Sequence, residues 1–169
     1  AFFNATRANA AAGLYSSVHA GIPCSTFSVA RFFNAGDASK MGAAGDGGPP
    51  PVRTRAHPDG LPHDDVPAGH HRELAQANEI VRRTCLILRA AHDASAHIVI
   101  ENPAARSEPS SPLFIQASHG SLWRTSWVSD LLTHIGARTV TFAFCALGSA
   151  YQKYTTLAYS PSLHATLGP

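Results

Sequence analysis

The chain has 169 residues, a length typical of one domain, and only 14% of them are charged. Its mean hydropathy is −0.05, and no apolar run approaches the ~18 residues that a membrane-spanning helix needs, so composition argues against a membrane protein. The net charge of +2 creates no strong field for polyanions. Three widely spaced cysteines favour a reducing, intracellular compartment, nuclear or cytoplasmic, and no signal peptide for secretion is visible.

The first third of the chain predicts a helix, a strand and a long loop. Alanine-rich residues from Asn4 to Tyr15 predict a short helix broken by Gly13, and the residues from Leu14 to Ala20 predict a strand. Residues 37–69 are rich in glycine and proline, and we expect a flexible loop there. A loop of about thirty residues is typical of an active-site lid or a disordered insert.

The rest of the chain alternates helical and strand patterns. The spacing of apolar residues predicts a long helix over His71–Ala94 and a second helix over Leu122–Ile135, capped by Gly136. Three further strands are predicted, at His97–Ile100, Thr139–Cys145 and Thr155–Tyr159. This alternation predicts a single α/β domain with right-handed crossovers and a parallel sheet covered by helices on both faces.

Chemically active residue types follow the predicted strands. The first strand ends before Pro23-Cys24, the second before Glu101-Asn102-Pro103, and the third is followed by Gly148 and Tyr151-Gln152-Lys153. Because ligands bind beyond the carboxyl ends of strands in open parallel sheets, we expect these groups to meet at one edge. A thiol, a carboxyl group and a Gln-Lys pair there form a candidate catalytic constellation.

Two residues at this edge allow both a structural and a catalytic interpretation. Cys24 either packs as a small apolar residue or acts as a nucleophile, its thiol activated if a helix begins after Ser25. Glu101 is either a surface residue at a strand end or a carboxyl group whose raised pKa lets it donate a proton to a ring nitrogen. The exposed loop arginines Arg53 and Arg55 are candidate phosphate contacts, or simply solvated.

Three segments together resemble the DNA cytosine-5 methyltransferase family. They are Gly21-Ile22-Pro23-Cys24-Ser25-Thr26-Phe27-Ser28, then Glu101-Asn102-Pro103, then Gly148-Ser149-Ala150-Tyr151-Gln152-Lys153. In that family a Pro-Cys turn carries the nucleophile, a Glu-Asn pair carries the acid, and a later Gln with a basic residue supports the loop and contacts DNA. The order of the blocks and of the elements between them also matches, from about Leu14 to Tyr159.

The resemblance implies a Rossmann-like parallel-sheet methyltransferase-type domain that takes a methyl group from S-adenosylmethionine. Its catalytic residues would be Cys24, attacking C6 of cytosine, and Glu101 with Asn102. The partner would be DNA, with the target base flipped out of the duplex. The substrate-binding residues would be Pro23, Ser25, Phe27, Ser28, Gln152 and Lys153, and the cofactor would lie beside Asn102 and Pro103.

The chain also departs from the family pattern. Ser25 stands where the family has Gln, Pro103 stands where a β-branched residue is usual, and no arginine follows Lys153. No Phe-x-Gly-x-Gly turn precedes Leu14, so we expect a domain without the strand that holds the cofactor. The stretch Gly42 to Gly48 lies in a proline-rich loop and does not replace that turn.

Other functions remain open at this point. An inactive remnant of a methylase could bind nucleic acid or a protein partner, and a thiol hydrolase could pair Cys24 with a histidine, although no histidine ends a strand. The histidines of the 37–69 loop fit no metal-finger spacing, so we predict no metal site. Trp123 and Trp127 have the spacing of core residues on one helix face.

Overall fold

The computed structural model describes residues 2–32, 49–150 and 153–168. No helix within these ranges is long and apolar enough to cross a bilayer. The helices are α1 (Phe2–Ala11), α2 (His71–Asp93), α3 (Ser126–His134) and α4 (His164–Leu167). The strands are β1 (Ser17–Gly21), β2 (His97–Pro103), β3 (Arg138–Ala143) and β4 (Tyr154–Tyr159). Short 3₁₀ turns cover Val29–Phe32, His63–Asp65, Leu122–Arg124, Phe144–Leu147 and Pro161–Leu163.

The four strands form one mixed sheet in the order β1-β2-β4-β3. β1 runs parallel to β2, whereas β4 runs antiparallel to both of its neighbours. The α/β class is as predicted and is compatible with a Rossmann-like fold, but the all-parallel sheet was wrong. Only residues 144–153 join β3 to β4, and a connection this short suits antiparallel neighbours better than a parallel crossover.

The hydrophobic core lies on one face of this sheet. Burial along β2 alternates, so that Ile98, Ile100 and Asn102 face the core while Val99 and Glu101 face the other way. A stripe on α2 and the buried residues of α3 belong to the same core cluster as β2: Val81, Cys85, Leu88, Ala91, Val128 and Leu131. We expected helices on both faces, but α2 and α3 share one.

The helix expected over residues 122–135 is divided at Thr125. A 3₁₀ turn ends there, Thr125 adopts an extended conformation (φ −65°, ψ 145°), and α3 begins at Ser126. The backbone N–H of Ser126 donates to Oδ1 of Asp59 at 2.9 Å, so a residue 67 positions away caps this helix. Local periodicity cannot reveal such a cap. Gly136, with φ of +60°, ends the helix as predicted.

The segment 49–69 is the part of the predicted loop that the structure describes; residues 37–48, including the stretch Gly42 to Gly48, lie outside the described ranges. Val52 and Arg53 are fully buried, and Thr54 forms an antiparallel bridge with His119. Residues 52–54 are therefore held in the fold, whereas composition predicted a flexible loop.

Candidate active-site edge

The ends of β1 and β2 bring Glu101 close to the turn that carries Cys24. Gly21 pairs directly with Glu101 in the parallel ladder. A Cβ atom placed on Gly21 would lie 3.8 Å from Oε2 of Glu101, so this carboxyl group leans over the end of β1. Cys24 follows three residues later as a free, half-buried thiol. Glu101 is thus paired with Gly21, and Cys24 follows that pair by three residues.

Lys153 also reaches this edge. Its Nζ donates to Oε1 of Glu101 at 3.4 Å, and its ammonium group lies 5.3 Å from the centre of the Phe144 ring. The Glu101 side chain is 24% exposed, so the carboxyl group remains open to solvent beside this ion pair. Gln152, the other residue predicted here, lies outside the described residues.

Asn102 lies on the opposite face of β2 and ties the two strand ends together. It is 1% exposed, and its Nδ2 donates to the carbonyl oxygen of Ile22 at 2.7 Å. Its Oδ1 is buried and has no hydrogen-bond partner among the described residues. Asn102 therefore fixes the backbone just before Pro23, which makes it a positioning residue for the Cys24 turn.

The cofactor site that the resemblance implies would lie beside Asn102 and Pro103. Nδ2 of Asn102 is bonded to Ile22, and the carbonyl oxygen of Pro103 accepts a hydrogen bond from Nε1 of Trp123 at 2.9 Å. These two groups are used within the fold, whereas Oδ1 of Asn102 is left without a partner among the described residues.

The chain turns sharply after Cys24. The N–H of Phe27 donates to the carbonyl oxygen of Cys24 at 2.9 Å, and a 3₁₀ turn follows at Val29–Phe32. The condition for thiol activation, an α-helix beginning after Ser25, is not met within residues 25–32.

The other residues predicted to bind substrate divide into exposed and buried members. Pro23 and Ser25 are exposed, whereas Phe27 is 1% exposed and packs inward. The Oγ of Ser28 accepts the N–H of Ala30 at 3.2 Å. The prediction that Phe27 contacts substrate is wrong for this structure, because its ring belongs to the core.

Arg53 contacts the turn that follows Cys24 from its buried side. Its guanidinium lies 4.2 Å from the centre of the Phe27 ring, donates to Oγ1 of Thr26 at 3.1 Å and donates to Oδ1 of Asn78 at 2.7 Å. Burial lowers the pKa of Arg53 to about 10, while Asp59 opposes that shift. The predicted phosphate contact is therefore wrong for Arg53, because its guanidinium is enclosed.

Arg31 supplies a second buried guanidinium beneath the same turn. Its Nε donates to the carbonyl oxygen of Ser25 at 2.6 Å, and its Nη2 forms an ion pair with Glu73. Arg31 is 5% exposed. A buried charge is stable only when it is paired and hydrogen-bonded, and Glu73 on α2 provides that pairing.

His119 connects the loops that follow β1 and β2. It is 1% exposed, its Nδ1 accepts the N–H of Arg106 at 3.1 Å, and its Nε2 lies 2.8 Å from the carbonyl oxygen of Phe27. These contacts require the neutral tautomer protonated at Nε2. Burial lowers the pKa of His119. We had assigned His119 no role, since no local pattern distinguishes it from the other histidines.

Among the residues that the structure describes, no three His, Cys, Asp or Glu side chains are placed to hold a metal ion.

Comparison of the chain with family models, with curated proteins and with solved structures gave no match. The structure therefore assigns the α/β class alone.

Proposed function

We propose that this chain is the catalytic core of a protein similar to DNA cytosine-5 methyltransferases, with Cys24 as nucleophile and Glu101 as acid. The observation that carries the proposal is the position of the Glu101 carboxyl group over Gly21, three residues before Cys24. The hydrogen bond from Asn102 to Ile22 supports it, because that bond fixes the approach of the Cys24 turn to the strand end.

The proposed chemistry begins with addition of the Cys24 thiolate to cytosine. The sulfur electron pair forms a bond to C6, the electrons of the C5–C6 double bond move through the ring, and N3 takes a proton from Glu101. The resulting enamine has a nucleophilic C5, which takes an electrophile; a base then removes the C5 proton, the Cys24 thiolate leaves C6, and N3 returns its proton to the Glu101 carboxylate, which restores the ring. In the family that electrophile is the methyl group of S-adenosylmethionine.

The residues around Cys24 and Glu101 affect how a base reaches the thiol and the carboxyl group. Pro23 and Ser25 are exposed on either side of the thiol, so a base can approach it. Lys153 occupies Oε1 of Glu101 and leaves Oε2 directed towards β1. A base must leave a duplex to reach such a site, at a cost of a few kcal/mol, so single-stranded DNA is the easier substrate.

The addition step can be tested without a methyl donor. While C6 carries the thiol, C5 exchanges its hydrogen with solvent, so a cytosine-containing single strand in D₂O should gain deuterium, detected by mass spectrometry. We expect Cys24→Ser to abolish exchange and Glu101→Gln to slow it by roughly 10²–10⁴-fold. Cys145→Ser is the matched control, because Cys145 is also a free thiol and is exposed. Exchange that survives Cys24→Ser would refute the proposal.

A second candidate function is binding without catalysis. It is favoured by one observation, namely that Nδ2 of Asn102 and the carbonyl oxygen of Pro103 are already hydrogen-bonded within the fold. The chain would then retain the sheet as a nucleic-acid or protein binding module. Equilibrium dialysis with labelled S-adenosylmethionine separates the two: absence of binding at millimolar ligand, with absence of C5 exchange, supports the binding module.

A further inference from the structure

Two cavities lie on either side of Glu108, which lines one of them and forms ion pairs with arginines of the other. One, of about 550 Å³, is lined by Thr54, Arg55, Ser118 and Arg124 among others. The second, of about 410 Å³, includes Glu108, Leu113, Trp123, Leu132, Thr139 and Thr141 in its lining. Because Glu108 also bonds to the arginines of the first, the two cavities are neighbours.

The first cavity presents an excess of positive charge. Nη2 of Arg55 lies 3.1 Å from Oε2 of Glu108, and Nη2 of Arg124 lies 3.8 Å from the same oxygen. The two arginine side chains are 35% and 42% exposed, so a single carboxylate balances two accessible guanidinium groups. The hydroxyl-bearing residues Thr54 and Ser118 line the same space. Guanidinium pairs with hydroxyl neighbours are well suited to a phosphate group.

The second cavity combines a fixed aromatic ring with polar edges. The hydrogen bond from Nε1 of Trp123 to the carbonyl oxygen of Pro103 holds the indole in one orientation. Leu113 and Leu132 supply apolar surface, and Thr139 and Thr141 are exposed on β3. Such a site suits a flat heterocycle that stacks on the indole and directs its polar edge towards hydroxyl groups.

We propose that the two cavities together bind one nucleotide, its base against Trp123 and its phosphate between Arg55 and Arg124. The phosphate takes the place of Glu108 as partner of the two guanidinium groups. Trp123 and Arg124 are consecutive in one 3₁₀ turn, which places the stacking group and a phosphate ligand side by side. Trp123 and Trp127 pack against the hydrophobic core as predicted, and the proposal gives the accessible part of Trp123 a second role.

The nucleotide site lies on the other face of the sheet from Glu101. In the sheet register Thr141 pairs with Thr156, and Thr156 pairs with Asn102, so these residues share the face of the sheet opposite Glu101. The nucleotide site therefore does not require Cys24 or Glu101, and it stands or fails independently of the proposed methylase chemistry.

Tryptophan fluorescence tests the stacking half of the proposal. The chain has two tryptophans, and Trp127 lines a different cavity, between α2 and α3. Titration with AMP, whose base is not cytosine, should quench the emission of the Trp127→Phe variant, which keeps Trp123. The matched Trp123→Phe variant should show no quenching. Equal quenching in both variants, or none in either up to 10 mM AMP (roughly the weakest binding of interest), would overturn the proposal.

Ligand and charge variants test the phosphate half. Adenosine, which lacks the phosphate, should bind at least tenfold more weakly than AMP. Arg55→Gln and Arg124→Gln should each weaken AMP binding by about tenfold, whereas Arg72→Gln, an exposed arginine on α2, should leave it unchanged. Equal affinity for adenosine and AMP would refute the phosphate contact.

Glu108→Gln should change the affinity for AMP in the opposite direction to the arginine variants. Because Glu108 competes for both guanidinium groups, its replacement should strengthen AMP binding; a weaker complex would mean that Glu108 itself holds the ligand and would overturn the proposed geometry. Cys24→Ser should bind AMP like the parent chain. Absence of C5 exchange in the parent chain, with AMP binding intact, would refute the catalytic proposal alone.

Discussion

The turn after β1 has two sides that differ in burial and in hydrogen bonding. Beneath it lie Arg31, Arg53 and His119, all at most 5% exposed and bonded to the backbone or side chains of the turn. Above it lie Cys24 and Glu101, which are half-buried. Polar residues around this turn therefore have two roles. Arg31, Arg53 and His119 hold the backbone in one conformation, and Cys24 and Glu101 remain accessible for chemistry.

Arg53 and Arg55 show the same difference two residues apart. Arg53 is enclosed by Phe27, Thr26 and Asn78. Arg55 points to the surface, where it bonds to Glu108. If this contrast is correct, substitutions below the turn should reduce stability and substitutions above it should not.

The largest effect is expected for Arg53→Met. The variant leaves the acceptors of Thr26 and Asn78 buried without their donor, which should cost about 3 kcal/mol of unfolding free energy. Arg55→Met, on a half-exposed ion pair, should cost less than about 0.5 kcal/mol. Urea denaturation of both variants measures the difference; equal losses would show that the two arginines are not distinguished by burial.

Gly120→Ala should have the second largest effect and lower the unfolding free energy by about 2 kcal/mol. A Cβ atom at Gly120 would lie 2.9 Å from the carbonyl oxygen of Thr54 and 3.0 Å from Cβ of Arg53, and backbone cannot move aside easily. Gly21→Ala is the matched variant at the edge, where the added atom meets Glu101 at an ordinary 3.8 Å. We expect thermal unfolding to be unchanged by Gly21→Ala, and a larger loss there than at Gly120 would contradict this packing.

His119 should make stability depend on pH. Burial lowers its pKa in the folded state, with a smaller contribution from the charge of Arg106, so the unfolded chain binds more protons just below pH 6.5. The unfolding free energy should therefore decrease as pH falls from 7 to 5, by at most about 1.4 kcal/mol per pH unit. Comparison of urea midpoints should show a smaller pH dependence for His119→Gln, whereas the exposed His57→Gln should behave like the parent.

The smallest effect is expected for Lys153→Gln. Its ion pair with Glu101 is half-exposed, and such pairs contribute less than about 1 kcal/mol. We expect an unfolding free energy within about 0.5 kcal/mol of the parent value by urea denaturation. A loss comparable to that of Arg53→Met would place Lys153 among the structural supports instead of at the accessible edge.

The elements that sequence predicted well are those with a strong local signal. The bounds of α2 match the prediction within one residue, and all four strands occur close to their expected positions. Local periodicity records which face of a helix or strand is buried, which is why these elements were visible. The meeting of the β1 and β2 ends also followed from their parallel order.

The features that sequence missed depend on contacts between distant residues. The break at Thr125 depends on Asp59, the buried state of Arg53 depends on Phe27 and Asn78, and the role of His119 depends on Phe27 and Arg106. None of these pairs lies within a few positions along the chain. Periodicity and motif spacing carry no information about them.

The amino-acid sequence alone determined the α/β class, the main helix and the order in which a thiol and a carboxyl group follow successive strands, because hydrophobic spacing is a local property. Only the tertiary structure decided the direction of β4, the placement of α2 and α3 on one face of the sheet and the separation of enclosed from accessible arginines. Those outcomes depend on which distant side chains share buried space, since a charge or a polar group is stable there only with partners that folding supplies.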